Sequence, residues 1–333
     1  MRQSFGKFIC AAALSVAAIF GGAVPGKAAD LVTIQVGYGA GGSYDMAARL
    51  VGRHLGRFLP GSPEVVVQNV PGGGSLKLAQ LLLGAVPADG SVIGAIGPGT
   101  ALAAKLDPQN VQFDPQKLSW LGSLGAVESF CAVSKASGIA TMEDFATKEF
   151  HIGASGKSST TYLFAALAKN ALGAKFDIVT GFDGVAEIEL AMERGEIAGH
   201  CTFDRNDLAK TGMRDAMNVI VRFGRADVGE YQSVPRVTEM VSDPAKKQAA
   251  EMVEALRDYD FPFVAPAGTP DDVVAVLRDA FDAMTKDPAF VAEVEKHGEF
   301  KLQPTSGKEL ERMLAERLSA DPAVFETMRQ LVQ

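Results

Sequence analysis

Three times within residues 31–100 an apolar run breaks at a glycine-rich turn and resumes with helix-like spacing. The runs are Leu31–Val36, Glu64–Asn69 and Ser91–Ile96, and the turns are Gly37–Gly42, Gly72–Gly74 and Gly97–Gly99. A strand that feeds a helix returns to the sheet parallel to itself, so repetition of this unit specifies an α/β fold with a largely parallel sheet. Such sheets bind ligands beyond the carboxyl ends of their strands, which is where all three turns fall.

The first turn, Gly37-Tyr38-Gly39-Ala40-Gly41-Gly42-Ser43-Tyr44-Asp45, precedes a pattern with Met46, Leu50, Leu55 and Phe58 on one side. Ser43 and Asp45 suit the cap and first turn of a helix. Exposed N–H groups and the dipole at such a terminus make an anion site. Gly37, Gly39 and Gly42 also match G-x-G-x-x-G. That fingerprint needs an acid closing the second strand, about 20 residues on, to hold a ribose hydroxyl. Here the second strand closes on Asn69, and Glu64 stands at its opposite end. A dinucleotide-dependent oxidoreductase is therefore the weaker reading of this turn.

The N-terminus argues the same way. Arg2 and Lys7 precede a short apolar stretch, Phe8–Phe20, followed by Pro25 and Gly26-Lys27-Ala28. This is the layout of a cleavable export signal over residues 1–29, cut after Ala28 or Ala29. Its apolar part is too short for a comfortable membrane span. Export places the protein in the periplasm, away from nucleotide cofactors, and no cofactor is expected. The net charge of −8 becomes −11 once Arg2, Lys7 and Lys27 are removed, which disfavours nucleic-acid binding. Cys10 is lost with the signal. Cys131 and Cys201 remain, either bridged, as an oxidising compartment permits, or packed as small hydrophobes.

The remaining motifs carry little chemistry. Ala154-Ser155-Gly156-Lys157-Ser158-Ser159 resembles a phosphate loop, but His151 stands where the Walker pattern needs glycine. Its hydroxyls and N–H groups suit a carboxylate at a helix N-terminus instead. His54, His151, His200 and His297 show no metal-ligand spacing, and no G-x-S-x-G elbow occurs. Asp45 and Asp204 can cap helices, hold an amine of a ligand or act as acid and base. Capping is preferred for Asp45. Tyr38, Tyr44, Tyr162 and Phe203 flank the turns; Tyr38 and Tyr44, being part of one, are the credible cleft residues. Beyond the first lobe, residues 113–124 read as a connection. Further strands are expected at Val127–Ser134, Phe150–Gly153, Phe176–Thr180, Ile197–Thr202, Asn218–Phe223 and Phe261–Pro266. Helices are expected at Tyr162–Leu172, Val185–Arg194, Pro244–Asp258 and Thr269–Lys286, and two more from Pro288 and Ser306.

Five landmarks, in this order, resemble the substrate-binding receptors of tripartite tricarboxylate transporters, the TctC or Bug family. They are Gly39–Asp45 with Ala48-Arg49-Leu50, Val65–Gly74, Pro87-Ala88-Asp89-Gly90, Ala191–Glu196 and Ala265–Pro270. The resemblance covers the chain after its signal. It implies a type II periplasmic-binding-protein fold, with two α/β lobes, a two-segment hinge and a carboxylate between the lobes. Carried over, lobe 1 is residues 30–125 and 224–333, and lobe 2 is 126–223. The ligand contacts it implies are Tyr38, Ala40, Gly41, Gly42, Ser43, Tyr44, Asp45, Gly73, Gly99 and Thr100 in lobe 1. In lobe 2 they are Ser155, Gly156, Lys157, Ser158, Ser159, Thr160, Phe182, Asp183 and Asp204. Lys157 either meets a second carboxylate or points to solvent. Departures at Tyr44, Ser158, Tyr162 and Gly181–Gly184 fall in the presumed pocket, so a relative's ligand is not inherited. The implied protein is a monomer without enzyme activity that passes its ligand to the large and small membrane subunits of the transporter. A sensor of the same fold, serving a membrane signalling protein, is the alternative.

Overall fold

A computed structural model describes Met1 and residues 30–224, 228–298 and 300–333. The expected export signal lies outside the described residues. Among the described residues eleven strands form two sheets. The first contains β1 (Leu31–Val36), β2 (Glu64–Asn69), β3 (Val92–Ala95), β4 (Ser119–Gly125), β10 (Asp260–Ala265) and β11 (Thr305–Ser306), in the order β11-β4-β10-β3-β1-β2. The second contains β5 (Ser129–Ser134), β6 (His151–Ala154), β7 (Asp177–Thr180), β8 (Gly199–Phe203) and β9 (Met217–Phe223), in the order β7-β6-β8-β5-β9. In each sheet the βα units pair in parallel: β1 with β2 and β3, and β6 with β7 and β8. One face of β1, Val32, Ile34 and Val36, is buried, while Leu31 on the other is exposed and Thr33 and Gln35 are half-buried.

The chain passes between the sheets twice, from β4 to β5 and from β9 to β10. In each sheet the two strands at the crossing are antiparallel neighbours, β4 with β10 and β5 with β9. The crossings touch where Val127 N donates to Arg257 O at 3.0 Å. This is the arrangement of a two-lobed, hinged α/β protein, the fold class expected from the sequence.

Residues 113–124, expected as a connection, contain most of β4. Gly122 and Gly125 hid the strand, because glycine within a strand weakens the local signal. Both are there for close approach. A Cβ on Gly122 would stand 2.5 Å from Phe281 Cε1, and one on Gly125 would stand 2.7 Å from Lys301 O. The helix expected from Ser306 is two helices, Gly307–Leu318 and Pro322–Val332. Asp321 starts the second, accepting from Ala323 N at 2.8 Å, with proline at the first helical position. Phe325, Met328, Leu331 and Val332 of that helix are buried in one core with Phe164 and Leu167 of the helix Thr160–Leu172, which follows β6. Asn170 Nδ2 adds a bond to Leu331 O at 3.0 Å.

Cys131 and Cys201 form a disulfide between neighbouring strands β5 and β8, and both are fully buried. This settles the alternative that the sequence left open. Among the described residues no helix is long and apolar enough to cross a membrane.

Candidate ligand-binding cleft

The helix Ser43–Leu55 begins at Gly42, and no side chain caps it. Ser43 is therefore the first helical residue, not the cap. Asp45 instead reaches back, and its Oδ2 accepts from Gly41 N at 3.0 Å. Asn69 Nδ2 donates to Asp45 Oδ1 at 2.9 Å and to Tyr38 O at 3.0 Å. The amide that argued against a ribose site thus holds the glycine turn in shape. Burial raises the Asp45 pKa, but hydrogen bonds from Arg49, Gly41 and Asn69 outweigh it and keep the carboxyl below its usual range.

The helix Val185–Glu193 likewise starts from a glycine, Gly184, without a side-chain cap. The helix Thr160–Leu172 is capped by Ser159, whose Oγ accepts from Tyr162 N. Ser159 Oγ also lies 2.6 Å from Thr161 Oγ1, which in turn accepts from Ser155 N at 3.0 Å. The three N-termini meet at one cavity of about 70 Å³. Its walls include Gly42, Ser43 and Tyr44 from the first sheet's helix, Ser159, Thr160 and Thr161 across from them, and Val185 and Ala186. Uncapped first-turn N–H groups and aligned dipoles give such a cavity positive potential.

One wall is aromatic. The Tyr38 and Tyr44 rings lie 4.7 Å apart, and the Phe261 ring lies tilted against Tyr44 at 4.8 Å. Phe261 has φ +52°, a conformation that costs a bulky residue of order 1–3 kcal/mol. Tyr44 Oη donates to Asp260 Oδ1, and Asp260 is ion-paired with Arg257. Burial first, then the Asp260 charge, raises both tyrosine pKa values, so both phenols stay neutral donors.

The wall near β8 is charged. Asp204 caps the helix Arg205–Ala209 in a reciprocal pair with Asp207. Burial, then the Asp207 charge, pushes the Asp204 carboxyl up to about 7, with Arg257 opposing and Glu128 adding to the rise. Beneath it His200 is fully buried and stacked on Phe203 at 3.7 Å, and burial lowers its pKa to about 4.

Of the residues singled out in sequence, Tyr38, Gly41, Gly42, Ser43, Tyr44, Ser155, Ser159, Thr160 and Asp204 line this cavity. The others lie elsewhere. Ala40 is exposed, and Asp45 braces the turn from behind. Thr100 Oγ1 closes its own turn onto Gly97 O. Phe182 packs on Ile188 and Ala191. Gly73, Lys157 and Ser158 border a separate groove beside Arg329 and Gln330, with Lys157 exposed. The sequence reading missed Thr161, Thr202, Arg257 and Phe261 as cavity residues. Thr161 extends the same hydroxyl run. Nothing local marks Arg257, which reaches the cavity only because the second crossing lies there.

Several of the displaced residues close the cleft. Gly39 N donates to Asp183 O at 2.8 Å, and Ser158 Oγ donates to Gly73 O. A Cβ on Gly156 would stand 2.5 Å from Gly73 C, and one on Gly99 would stand 2.1 Å from Ser158 O. These glycines are needed for contact between the two sides of the cleft. Gly156→Val is expected to hold the cleft open. Small-angle scattering should then show a larger radius of gyration than the parent, with no compaction on adding ligand. An unchanged profile would refute this role.

Two hinged α/β lobes that meet around an anion-attracting cavity define a solute-binding protein. The chain belongs to the tripartite tricarboxylate transporter receptor family, TctC, whose family model matches residues 48–329. That family is one of substrate-binding receptors, not of enzymes. Similar solved structures include MatC from Rhodopseudomonas palustris with bound malate (17% identity, TM-score 0.69, covering 90% of this chain and 98% of that one). R. palustris Rpa4515 with adipate (20% identity, TM-score 0.68, 90% and 97%) and the periplasmic binding protein BugD (18% identity, TM-score 0.68, 89% and 95%) are also alike. At these identities the likeness establishes the fold. No curated protein sequence matches.

Proposed function

We propose that the protein is an extracytoplasmic receptor that takes a small carboxylate into the cleft and delivers it to the membrane subunits of a tripartite tricarboxylate transporter. The observation that carries this reading is the convergence of three helix N-termini, two without side-chain caps, on one cavity. A carboxylate there accepts bonds from main-chain N–H groups and from the Ser155 and Thr160 hydroxyls, the Ser159 hydroxyl being committed to Gly156 O at 2.6 Å. The net negative charge does not oppose this, because helix termini set the local potential. The malate and adipate held by structural neighbours support the ligand class. In this reading residues 1–29 are the export signal, 30–125 with 224–333 form lobe 1, and 126–223 form lobe 2. Ligand contacts made only in the closed form draw the hinge equilibrium toward closure.

The test is thermal-shift screening of the purified protein against di- and tricarboxylates, aromatic acids, amino acids and NAD. At least one carboxylate is expected to raise the melting temperature, and NAD is not. A shift with NAD and none with any carboxylate would overturn the reading. Ser155→Ala, which removes one hydroxyl of the cavity, should weaken binding by roughly three- to tenfold in calorimetry, the size of one hydrogen bond. Undiminished affinity would mean that the ligand lies elsewhere.

A further inference from the structure

Two chemically distinct sets of residues line the cavity. The helix N-termini and hydroxyls form one. Asp204 belongs to the other, faced by the buried guanidinium of Arg257, whose Nε has no hydrogen-bond partner among the described residues. Asp204 Oδ1 accepts from Asp207 N at 2.8 Å, and its second oxygen makes no hydrogen bond among the described residues. Asp204 is only 7% exposed, yet the cations around it serve other carboxylates. Lys210 Nζ is 2.8 Å from Asp207 Oδ1, Arg205 Nε is 3.0 Å from Glu128 Oε1, and Arg257 pairs with Asp260. A cap alone does not require this residue, because asparagine caps a helix as well as aspartate does. A buried carboxylate beside a second acid is costly unless a cation meets it.

We propose that the ligand is zwitterionic: a small amino-carboxylate whose carboxylate lies at the helix N-termini and whose ammonium sits against Asp204. This rests on the carboxylate reading above and adds the second charge. The groups facing Asp204 are Asp207 and Lys210 from its own segment, Glu128 from the first crossing, Arg257 from the second and Glu189 from the helix Val185–Glu193. An arriving ammonium favours the ionised form of Asp204. Affinity for an amine-bearing ligand therefore rises as pH passes from 6 to 8, through the pKa of about 7.

The experiment compares matched pairs by calorimetry on the purified protein: succinate with aspartate, malate with aspartate, glutarate with glutamate, and adipate with 2-aminoadipate. In at least one pair the amine-bearing member should bind tenfold or more tightly than its partner. Its affinity should gain three- to tenfold between pH 6 and pH 8, and Asp204→Asn, which keeps the cap, should abolish both the preference and the gain. If the amine-free members bind as well as or better than their partners, or if Asp204→Asn keeps the preference, the inference fails and the carboxylate reading stands. If no member of either kind binds, the carboxylate reading fails and takes this one with it. Should Asp204→Asn not fold, the matched pairs on the parent protein decide.

Discussion

Asp260→Ala should destabilise the protein by about 3–5 kcal/mol, the cost of leaving a buried charge without its partner. Asp260 has no solvent exposure, and Arg257, its partner, is 6% exposed. The carboxylate also accepts from Tyr44 Oη and, at 3.1 Å, from Phe261 N. One truncation thus strands a guanidinium, a phenol and a main-chain donor. Because Arg257 O accepts from Val127 N, the damage falls where the two crossings touch. Urea unfolding gives the measurement. The double variant Arg257→Met/Asp260→Ala should recover a substantial part of the loss, since a neutral pair no longer carries an unpaired charge. A loss below about 1 kcal/mol for Asp260→Ala would show that the pair contributes little.

Removing the disulfide should have the next largest effect. The bridge joins positions 70 residues apart. Chain-entropy reasoning for a loop of that size gives about 4 kcal/mol, within the usual range of about 2–4 kcal/mol for such bridges once native-state strain is allowed for. Cys131→Ala/Cys201→Ala should lower the urea midpoint accordingly. Both sulfurs are fully buried between β5 and β8. Reductant should therefore leave the native protein bridged, and thiol labelling should appear only as the protein unfolds. Rapid labelling of the native protein under reductant would contradict the buried placement. An unchanged midpoint in the double variant would show that the bridge does not stabilise the fold.

What could be read in sequence was local. The strand–glycine–helix units are contiguous, and each carries its own strand pattern, breaker and helix start. The first sheet's parallel half and the turn at Tyr38–Asp45 were accordingly visible. β4 was not, because Gly122 and Gly125 answer to Phe281 and Lys301, far along the chain. The same limit governed the site. Ser155, Ser159 and Thr160 announce themselves as hydroxyls before a helix, whereas Gly156 and Ser158 in the same run meet Gly73 across the cleft rather than lining the cavity. Arg257 and Asp260 become meaningful only when the second crossing lies beside the first. Asp204 was legible as a cap, but its uncommitted oxygen was not, because that depends on which cations other acids have already taken.

The helix Pro322–Val332 completes a surface that was made about 150 residues earlier in the chain, the apolar side of Thr160–Leu172. During synthesis that side lacks this part of its cover until the later helix emerges. Contacts so distant in sequence form late and slow the approach to the native state. The packing of the helix behind the second sheet is therefore completed last. In a family whose receptors work outside the cytoplasm, such a delay suits passage through a translocation pore, which admits a thread more readily than a finished globule.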